Sequence, residues 1–323
     1  MNLTVHIGTT KTGSSSIQRF LNLNRAALRR RGILIPSTLG NIVHFHAVLA
    51  SLPFGKSPDL ARSVPDLTNS IPFLTKYVPL IGKRQHANFC RKTRAGFLEE
   101  VANAGECKEV VITAEHLHSR LRKRKHIKTF RNMFCRDFQN VRIVVYIRPQ
   151  LDQAVSLYST MLRGGYANSL DEFIESRKLP SSRPYFDLRD VITRWTDVFG
   201  AENVIVRPFN GIDREFGVLS DFCDLLNIDP GKGGWRLDKQ SNASINIAGQ
   251  ELLLMLNQTE ALTALQRRKV VQWTEAHCTG RGAVPSLDLA RSFQALFDDG
   301  NAWVIENFFP DHPEYLEPRW PKA

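Results

Sequence analysis

The sequence lacks the long apolar stretches and the paired cysteines that would place it in a membrane or in a disulfide framework. No run of about 18 apolar residues occurs, so no membrane span is predicted. The five cysteines are scattered without CxxC or Cys/His spacing, which disfavours a zinc site and a set of disulfides. The first apolar run begins at residue 3, leaving no room for a signal peptide, and a reducing cytoplasmic location is therefore expected.

Acidic residues are too few to balance the basic ones. The chain has 43 Lys and Arg against 32 Asp and Glu, a formal net charge of +11. Nucleic-acid binding is one interpretation of this excess, but the basic clusters carry no interleaved aromatic residues of the kind that RNA-binding modules use. We therefore expect no nucleic-acid partner and attribute part of the charge to small anionic ligands.

A glycine-bearing loop follows the first predicted strand. The loop runs from Gly8 to Gly13 and opens a helix whose apolar residues share one face, which is how a chain wraps backbone amides around a phosphate. The two glycines have the spacing of the G-x-x-x-x-G-K-[ST] nucleotide loop, but Ser14 follows the second glycine and the lysine, Lys11, lies inside the loop. The candidate phosphate-binding residues are Lys11, Thr12, Gly13, Ser14, Ser15 and Ser16. A structural turn capped by serines is the alternative.

A second candidate anion site follows the predicted strand 141–147. Arg148 closes this strand, Pro149 suits the first turn of a helix, and Ser156 lies two turns into the helix. An arginine offers paired donors to a phosphate and a serine adds a hydroxyl, so the two side chains can converge on one anion. The alternative is an arginine at the edge of the sheet and a serine that faces a neighbouring helix.

Both motifs resemble those of sulfotransferases that use 3′-phosphoadenosine 5′-phosphosulfate (PAPS). The loop at 8–16 is similar to the family's 5′-phosphosulfate loop, and Arg148 with Ser156 is similar to its 3′-phosphate site. The resemblance implies transfer of a sulfuryl group from PAPS to a hydroxyl or amine, with adenosine 3′,5′-bisphosphate as product and no metal. It also implies that Lys11 stabilises the departing 5′-phosphate. The acceptor is expected to be a small molecule or a glycan, with a saccharide or a glycolipid as the candidate classes.

The presence of two separate phosphate motifs fits the two separate phosphate positions of PAPS. A bisphosphorylated adenosine needs two cradles, whereas a nucleoside triphosphate needs one cradle and a metal. The candidate strands are followed or closed by Glu115, Arg148 and Arg207, without a Walker B aspartate. This pattern disfavours two alternative functions that use nucleoside triphosphates, those of a small-molecule kinase and of a GTPase. A non-catalytic nucleotide-binding protein is a further alternative.

The general base is predicted at the end of the apolar run 108–114. The run delivers Glu115 and His116 to the carboxyl edge of the sheet, where open α/β folds bind their ligands. Some members of the family use a histidine after the equivalent strand and others a glutamate, so the resemblance leaves both residues open. Glu115 is favoured because it directly follows the strand; a helix-terminus charge is the alternative.

The alternation of strands and helices predicts an α/β fold, a P-loop-like three-layer domain with a central parallel sheet between helices. Predicted strands are 3–8, 33–36, 108–114, 141–147 and 203–208; predicted helices are 14–31, 117–136, 150–163, 185–199 and 214–227. Residues 1–323 are expected to form one domain, with a proline-rich insertion or lid at 37–100 near the acceptor site and a mainly helical C-terminal region at 246–323.

Two further groups of residues are weaker candidates. His44 and His46 lie in the insertion and are candidates for contact with the acceptor, although a surface or core position is the simpler interpretation. The stretch 239–244 occupies about the place of a family loop that closes over the 3′-phosphate, and its candidates are Lys239, Asn242 and Ser244. The family's Arg-Lys-Gly pattern is absent there, and a helix-capping loop is an equal alternative.

Overall fold

A computed structural model describes residues 1–53, 83–212, 214–237, 244–259 and 263–322. In these ranges five strands form one sheet in the order β2-β3-β1-β4-β5, and every neighbouring pair is parallel. The strands are β1 (Asn2–His6), β2 (Ile33–Leu34), β3 (Glu109–Thr113), β4 (Asn140–Ile147) and β5 (Val204–Pro208). The predicted α/β class with a central parallel sheet between helices is confirmed.

Helices connect the strands and cover both faces of the sheet. Up to β5 they are α1 (Ser14–Leu23), α2 (Arg25–Arg30), α3 (Phe45–Ser51), α4 (Lys83–Ala102), α5 (His116–Arg120), α6 (Arg124–Phe134), α7 (Gln150–Arg163), α8 (Leu170–Arg177) and α9 (Leu188–Phe199). After β5 follow α10 (Val218–Asp224), α11 (Ile247–Gln258), α12 (Ala264–His277), α13 (Leu287–Gln294) and α14 (Asp298–Phe308). Short 3₁₀ turns occupy Arg183–Tyr185, Ala201–Asn203, Ala295–Phe297 and Pro313–Leu316.

The core is divided by the alternation of side chains along the strands. In β4, Ile143 and Val145 pack into the cluster under α3, α6 and α9, whereas Val144 and Tyr146 pack into the cluster under α1 and α10. A third cluster joins α7, α8, α11 and α13 in the C-terminal part. Because β1 lies in the middle of the sheet, the chain segments that leave β1, β3 and β4 meet at one carboxyl edge.

Several predicted helices are shorter or divided. The predicted helix 14–31 breaks at Asn24, whose side chain donates to the Phe20 and Arg236 carbonyls at 2.9 Å each and accepts from the Arg236 N–H at 2.9 Å. These distant backbone contacts fix a non-helical conformation that local periodicity does not encode.

Other helix boundaries also differ from the prediction. The predicted helix 117–136 divides into α5 and α6 around residues 121–123, and the predicted 214–227 shortens to α10. The predicted 185–199 begins later, after a 3₁₀ turn, and α8 was not predicted. α3 lies in the predicted insertion and α4 runs through its end, while residues 54–82 lie outside the described part.

Candidate active site

The loop after β1 is held in a conformation that only small or flexible residues accept. Gly8, Lys11 and Gly13 have φ angles of 53°, 69° and 75°, in the left-handed region. A Cβ on Gly8 would lie 2.6 Å from Ser14 Oγ, and one on Gly13 would lie 2.3 Å from Val218 Cγ1. The two glycines therefore allow the loop to fold tightly over the start of α1.

Hydrogen bonds to neighbouring elements fix the loop. The Thr9 hydroxyl donates to the Tyr146 carbonyl at 2.7 Å, and the Thr12 hydroxyl donates to the Thr9 carbonyl at 2.6 Å. Gln153 Nε2 donates to the Thr10 carbonyl at 3.0 Å. The loop is thus a preorganised structure, which reduces the entropy that ligand binding would otherwise cost.

A cavity of about 910 Å³ brings the two sequence motifs together. Lys11 and Ser15 line it from the loop and α1, and Arg148 and Ser156 line it from the end of β4 and from α7. The predicted residues Thr12, Gly13, Ser14 and Ser16 belong to the loop and the first turn of α1 but do not line this cavity. Thr12 is buried in its hydrogen bond to Thr9, and Gly13 caps α1 through its backbone.

The cavity is strongly basic. Its cationic lining residues are Lys11, Arg19, Arg148, Arg163, Arg281 and Arg319, against the carboxylates of Asp152 and Glu275. Each carboxylate already has a basic partner, since Arg148 lies 3.7 Å from Asp152 and Arg163 lies 2.9 Å from Glu275. A site with this excess of positive charge favours a ligand with several negative charges.

Two buried polar atoms in the described structure also indicate an anionic ligand. Ser14 Oγ and Arg148 Nε are buried and have no hydrogen-bond partner among the described residues. Burial lowers the pKa of Arg148, and Asp152 opposes this shift. Buried donors are normally satisfied, so each of the two atoms could donate to a further acceptor.

Lys11 lies at the boundary between this cavity and Glu115. Its Nζ donates to Thr160 Oγ1 at 3.0 Å, on the cavity side. Burial lowers the pKa of Lys11; Arg163 and Arg148 lower it further, while Glu115 raises it. Burial and the two arginines therefore disfavour the charged ammonium group, and an anion beside it would stabilise that charge.

Glu115 follows β3 and caps the short helix α5 at the same edge of the sheet. A Cβ on Gly8 would lie 3.4 Å from its Cα and Cβ, so the loop packs directly against it. The side chain is half-buried, and burial raises the pKa of the carboxyl although the charge of Lys11 opposes the shift. A carboxyl with a raised pKa near a half-buried lysine is suited to proton transfer.

His116 has a different environment from its neighbour. Its ring packs edge-on against Phe45, with the centroids 4.8 Å apart, and burial and Arg120 lower its pKa to about 4. The charge of Arg120 thus disfavours protonation of His116, whereas the charge of Lys11 favours the ionised form of Glu115. Both residues lie at the end of β3, and the charge of Lys11 affects the pKa of Glu115.

Three of the five weaker sequence candidates, His44, His46 and Ser244, lie in the described part of the chain. His44 is fully buried and accepts the Thr113 N–H through Nδ1 at 2.9 Å, and His46 Nδ1 lies 2.9 Å from the Thr38 carbonyl. Ser244 lines the cavity. Lys239 and Asn242 lie outside the described residues.

Sequence reasoning missed several residues of the site. Arg19 lies one turn after Ser15, and Arg163 two turns after Ser156, so helical periodicity could have indicated both. Arg281, Arg319 and Tyr185 come from distant parts of the chain, and no local pattern pointed to them. Tyr185 donates its hydroxyl to Thr10 Oγ1 in the loop.

Comparisons with known proteins give little further guidance. No family model and no curated protein matches the chain. A crystal structure of a sulfotransferase from Alicyclobacillus acidocaldarius is similar with 16% sequence identity, over 83% of this chain and 94% of that chain, at a TM-score of 0.39. Similarity at this level is too low to assign a family or an activity.

The described residues lack two features that would indicate a membrane span or a metal site. No helix there is both long and apolar enough to cross a bilayer. No group of three or more His, Cys, Asp or Glu in the same ranges is arranged to hold a metal ion.

Proposed function

We propose that this protein is a sulfotransferase that moves the sulfuryl group of PAPS to a hydroxyl or amine of an acceptor. The observation that carries the proposal is that both motifs line the same basic cavity, with Lys11 and Ser15 on one side and Arg148 and Ser156 on the other. A ligand with phosphates at two separated positions satisfies both motifs at once, and a triphosphate chain satisfies only the first.

In this proposal the loop and α1 bind the 5′-phosphosulfate. The N-terminus of α1 offers backbone amides, Ser14 Oγ is an unsatisfied buried donor, and Ser15 faces the cavity. Arg148 and Ser156 bind the 3′-phosphate, and they discriminate PAPS from nucleotides that lack this group. Lys239 and Asn242 remain proposed contacts from outside the described residues.

The reaction needs one base and one cation, and the proposal assigns them to Glu115 and Lys11. The acceptor oxygen or nitrogen forms a bond to sulfur while its proton passes to Glu115. The bond between sulfur and the bridging phosphate oxygen breaks, and its electron pair stays on the phosphate. Lys11 stabilises the negative charge that develops there, and adenosine 3′,5′-bisphosphate leaves.

Glu115 is proposed as the base ahead of His116 because of its neighbours. The charges of Glu115 and Lys11 affect each other's pKa, and Glu115 packs against Gly8 of the loop that carries the lysine. Its raised pKa makes the carboxylate a stronger base than an exposed glutamate. His116 interacts with Arg120 and packs on Phe45 instead.

A calorimetric comparison of nucleotides tests the proposal. Adenosine 3′,5′-bisphosphate should bind at least about tenfold more tightly than AMP, because the 3′-phosphate adds charge-assisted hydrogen bonds. ATP with Mg²⁺ is the decisive competitor: tighter binding of ATP would identify a kinase. Transfer of labelled sulfate from PAPS to a panel of glycans, glycolipids and phenols then distinguishes an enzyme from a binding protein.

A further inference from the structure

Arg163 lines the basic cavity at the carboxyl end of α7, beyond the two phosphate motifs. Four residues of this helix, Ser156, Ser159, Thr160 and Arg163, line the cavity with the i, i+3, i+4 and i+7 spacing of one helix side. At a rise of about 1.5 Å per residue, Thr160 lies about 6 Å and Arg163 about 10 Å along the helix axis from Ser156. Arg163 is therefore at the far end of this row from the residue assigned to the 3′-phosphate.

The lysine of the loop reaches the same end of the row. Lys11 Nζ donates to Thr160 Oγ1 at 3.0 Å, and Thr160 and Arg163 are neighbours at i and i+3 on the helix surface. Among the charged groups that affect the pKa of Lys11, Arg163 has the largest effect, and it lowers that pKa. An anion bound by Lys11 is thus within reach of the Arg163 guanidinium.

Contacts on two sides orient the Arg163 guanidinium. Its Nη1 donates to the Ser159 carbonyl at 2.9 Å and to Ser159 Oγ at 3.0 Å, within α7. Its Nε donates to Glu275 Oε1 of α12 at 2.9 Å. In the described part of the chain Nη2 has no hydrogen-bond partner, so two of the five N–H donors of this arginine are available to a ligand.

Glu275 has the opposite effect on an anion in the cavity. Its half-exposed carboxylate lines the cavity from α12, so its charge repels an anionic ligand while its contact with Nε holds Arg163 in place. An ion pair that only joins α7 to α12 would depend on both partners equally, because removal of either one breaks it. A cation that binds a ligand differs, because only the arginine attracts the anion.

We propose that Arg163 is a second cation of the donor site, which binds the 5′-phosphosulfate together with Lys11 and is positioned by Glu275 and Ser159. This inference rests on the proposed sulfotransferase function and adds a residue to the 5′ half of its donor site. When the bond between sulfur and the bridging phosphate oxygen breaks, the electron pair stays on the 5′-phosphate. Arg163 then stabilises this negative charge beside Lys11.

Calorimetric titrations with adenosine 3′,5′-bisphosphate and with adenosine 3′-monophosphate, which lacks the 5′ group, test the inference. Arg163→Gln should weaken binding of the bisphosphate about tenfold or more, because charge-assisted hydrogen bonds to the 5′-phosphate are lost, and should leave binding of the monophosphate unchanged. Glu275→Gln keeps an oxygen that accepts from Nε but removes a negative charge near the anion, so it should strengthen binding of the bisphosphate about threefold. The two substitutions alter the same ion pair and should act in opposite directions.

The matched control is Arg268→Gln, which removes a positive charge from an exposed position of α12 outside the cavity. It should bind both nucleotides as the unmodified protein does, which excludes a general effect of net charge. Three results overturn the inference: equal weakening of both nucleotides by Arg163→Gln, weakening of the bisphosphate by Glu275→Gln as well as by Arg163→Gln, or no effect of Arg163→Gln. Failure of the unmodified protein to bind the bisphosphate would instead reject the sulfotransferase proposal.

Discussion

Arg148 donates a hydrogen bond through Nη1 to the backbone carbonyl of Lys11 at 3.1 Å. The arginine predicted for one phosphate site thus supports the loop predicted for the other. Arg148 is in turn positioned by Asp152, at 3.7 Å, and by the Phe209 ring, whose centroid lies 5.1 Å from its Cζ. A substitution in either motif is therefore expected to alter the conformation of both motifs.

Replacing Lys11 by methionine should lower kcat by about 10²- to 10³-fold, because the positive charge at the departing phosphate oxygen is lost. The affinity for adenosine 3′,5′-bisphosphate should fall much less. Steady-state kinetics with labelled PAPS and a calorimetric titration measure the two effects. Lys128→Met, at an exposed position of α6, is the control and should leave both unchanged. A Lys11→Met protein with full turnover would contradict the assigned role.

Ser156→Ala should weaken the binding of adenosine 3′,5′-bisphosphate but not that of AMP. The hydroxyl is assigned to the 3′-phosphate alone, and loss of one hydrogen bond to a charged group costs about 1.5–3 kcal/mol. AMP is the internal control for the loop and for the fold. Equal weakening of both nucleotides would show that Ser156 acts on the whole site instead of on one phosphate.

Glu115→Gln should lower kcat/KM by about 10²- to 10⁴-fold and yet make the folded state more stable at neutral pH. Burial raises the folded-state pKa of Glu115, so the stability present below the unfolded pKa, near 4.5, is lost as pH rises through the folded pKa. Glutamine has no carboxyl group to ionise, so the variant does not lose this stability as pH rises. Chemical denaturation at pH 8 should show the variant as the more stable protein, and the difference should vanish as pH falls to about 4.

His6 and His44 should make the protein sensitive to mild acid. Both are fully buried, both contact Thr113, and burial lowers the pKa of each to about 3 from 6.5. The unfolded chain binds these protons near pH 6.5 and the folded chain does not, so stability is full above that pH and is lost as pH falls. The slope for the two residues near pH 5 should approach about 2.7 kcal/mol per pH unit.

Denaturant titrations at a series of pH values measure this slope. His44→Asn should reduce it by about one proton, because one titrating group is removed. His312→Gln, at an exposed site, should not change it. A slope that is the same in His44→Asn and in the unmodified protein would show that other groups cause the acid sensitivity.

Gly13→Ala should destabilise the fold for two separable reasons. The added Cβ would lie 2.3 Å from Val218 Cγ1, and φ at this position is 75°. Either effect costs on the order of 1–3 kcal/mol. A double-mutant cycle with Val218→Ala should recover the steric part but not the backbone part. Full additivity of the two single changes would exclude the predicted contact.

The sequence was sufficient for elements that depend on local pattern. The parallel sheet follows from short apolar runs alternating with helical periodicity, and the loop at 8–13 follows from the placement of Gly8, Lys11 and Gly13. The helix after Pro149 was predicted with its observed bounds, Gln150–Arg163, because its start is set locally by the proline.

Other features depend on residues that are far apart in the chain. Asn24 breaks the first helix because it bonds to the backbone of Arg236, and no periodicity within the helix records that contact. Arg281 and Arg319 reach the cavity from the C-terminal part, and Tyr185 reaches the loop at Thr10. Such partners become visible only when the chain is folded.

The placement of Lys11 inside its loop, and not after Gly13, was determined by the sequence alone, and it already distinguished this loop from that of a nucleoside triphosphatase. That the loop and the Arg148–Ser156 motif line one cavity was decided only by the tertiary structure, because the order of strands brings the ends of β1 and β4 together. The same packing brings Gly8 of the loop against Glu115 and the Phe45 ring against His116. Local sequence specifies which groups are present, and the packing of the sheet and its helices specifies which of them meet.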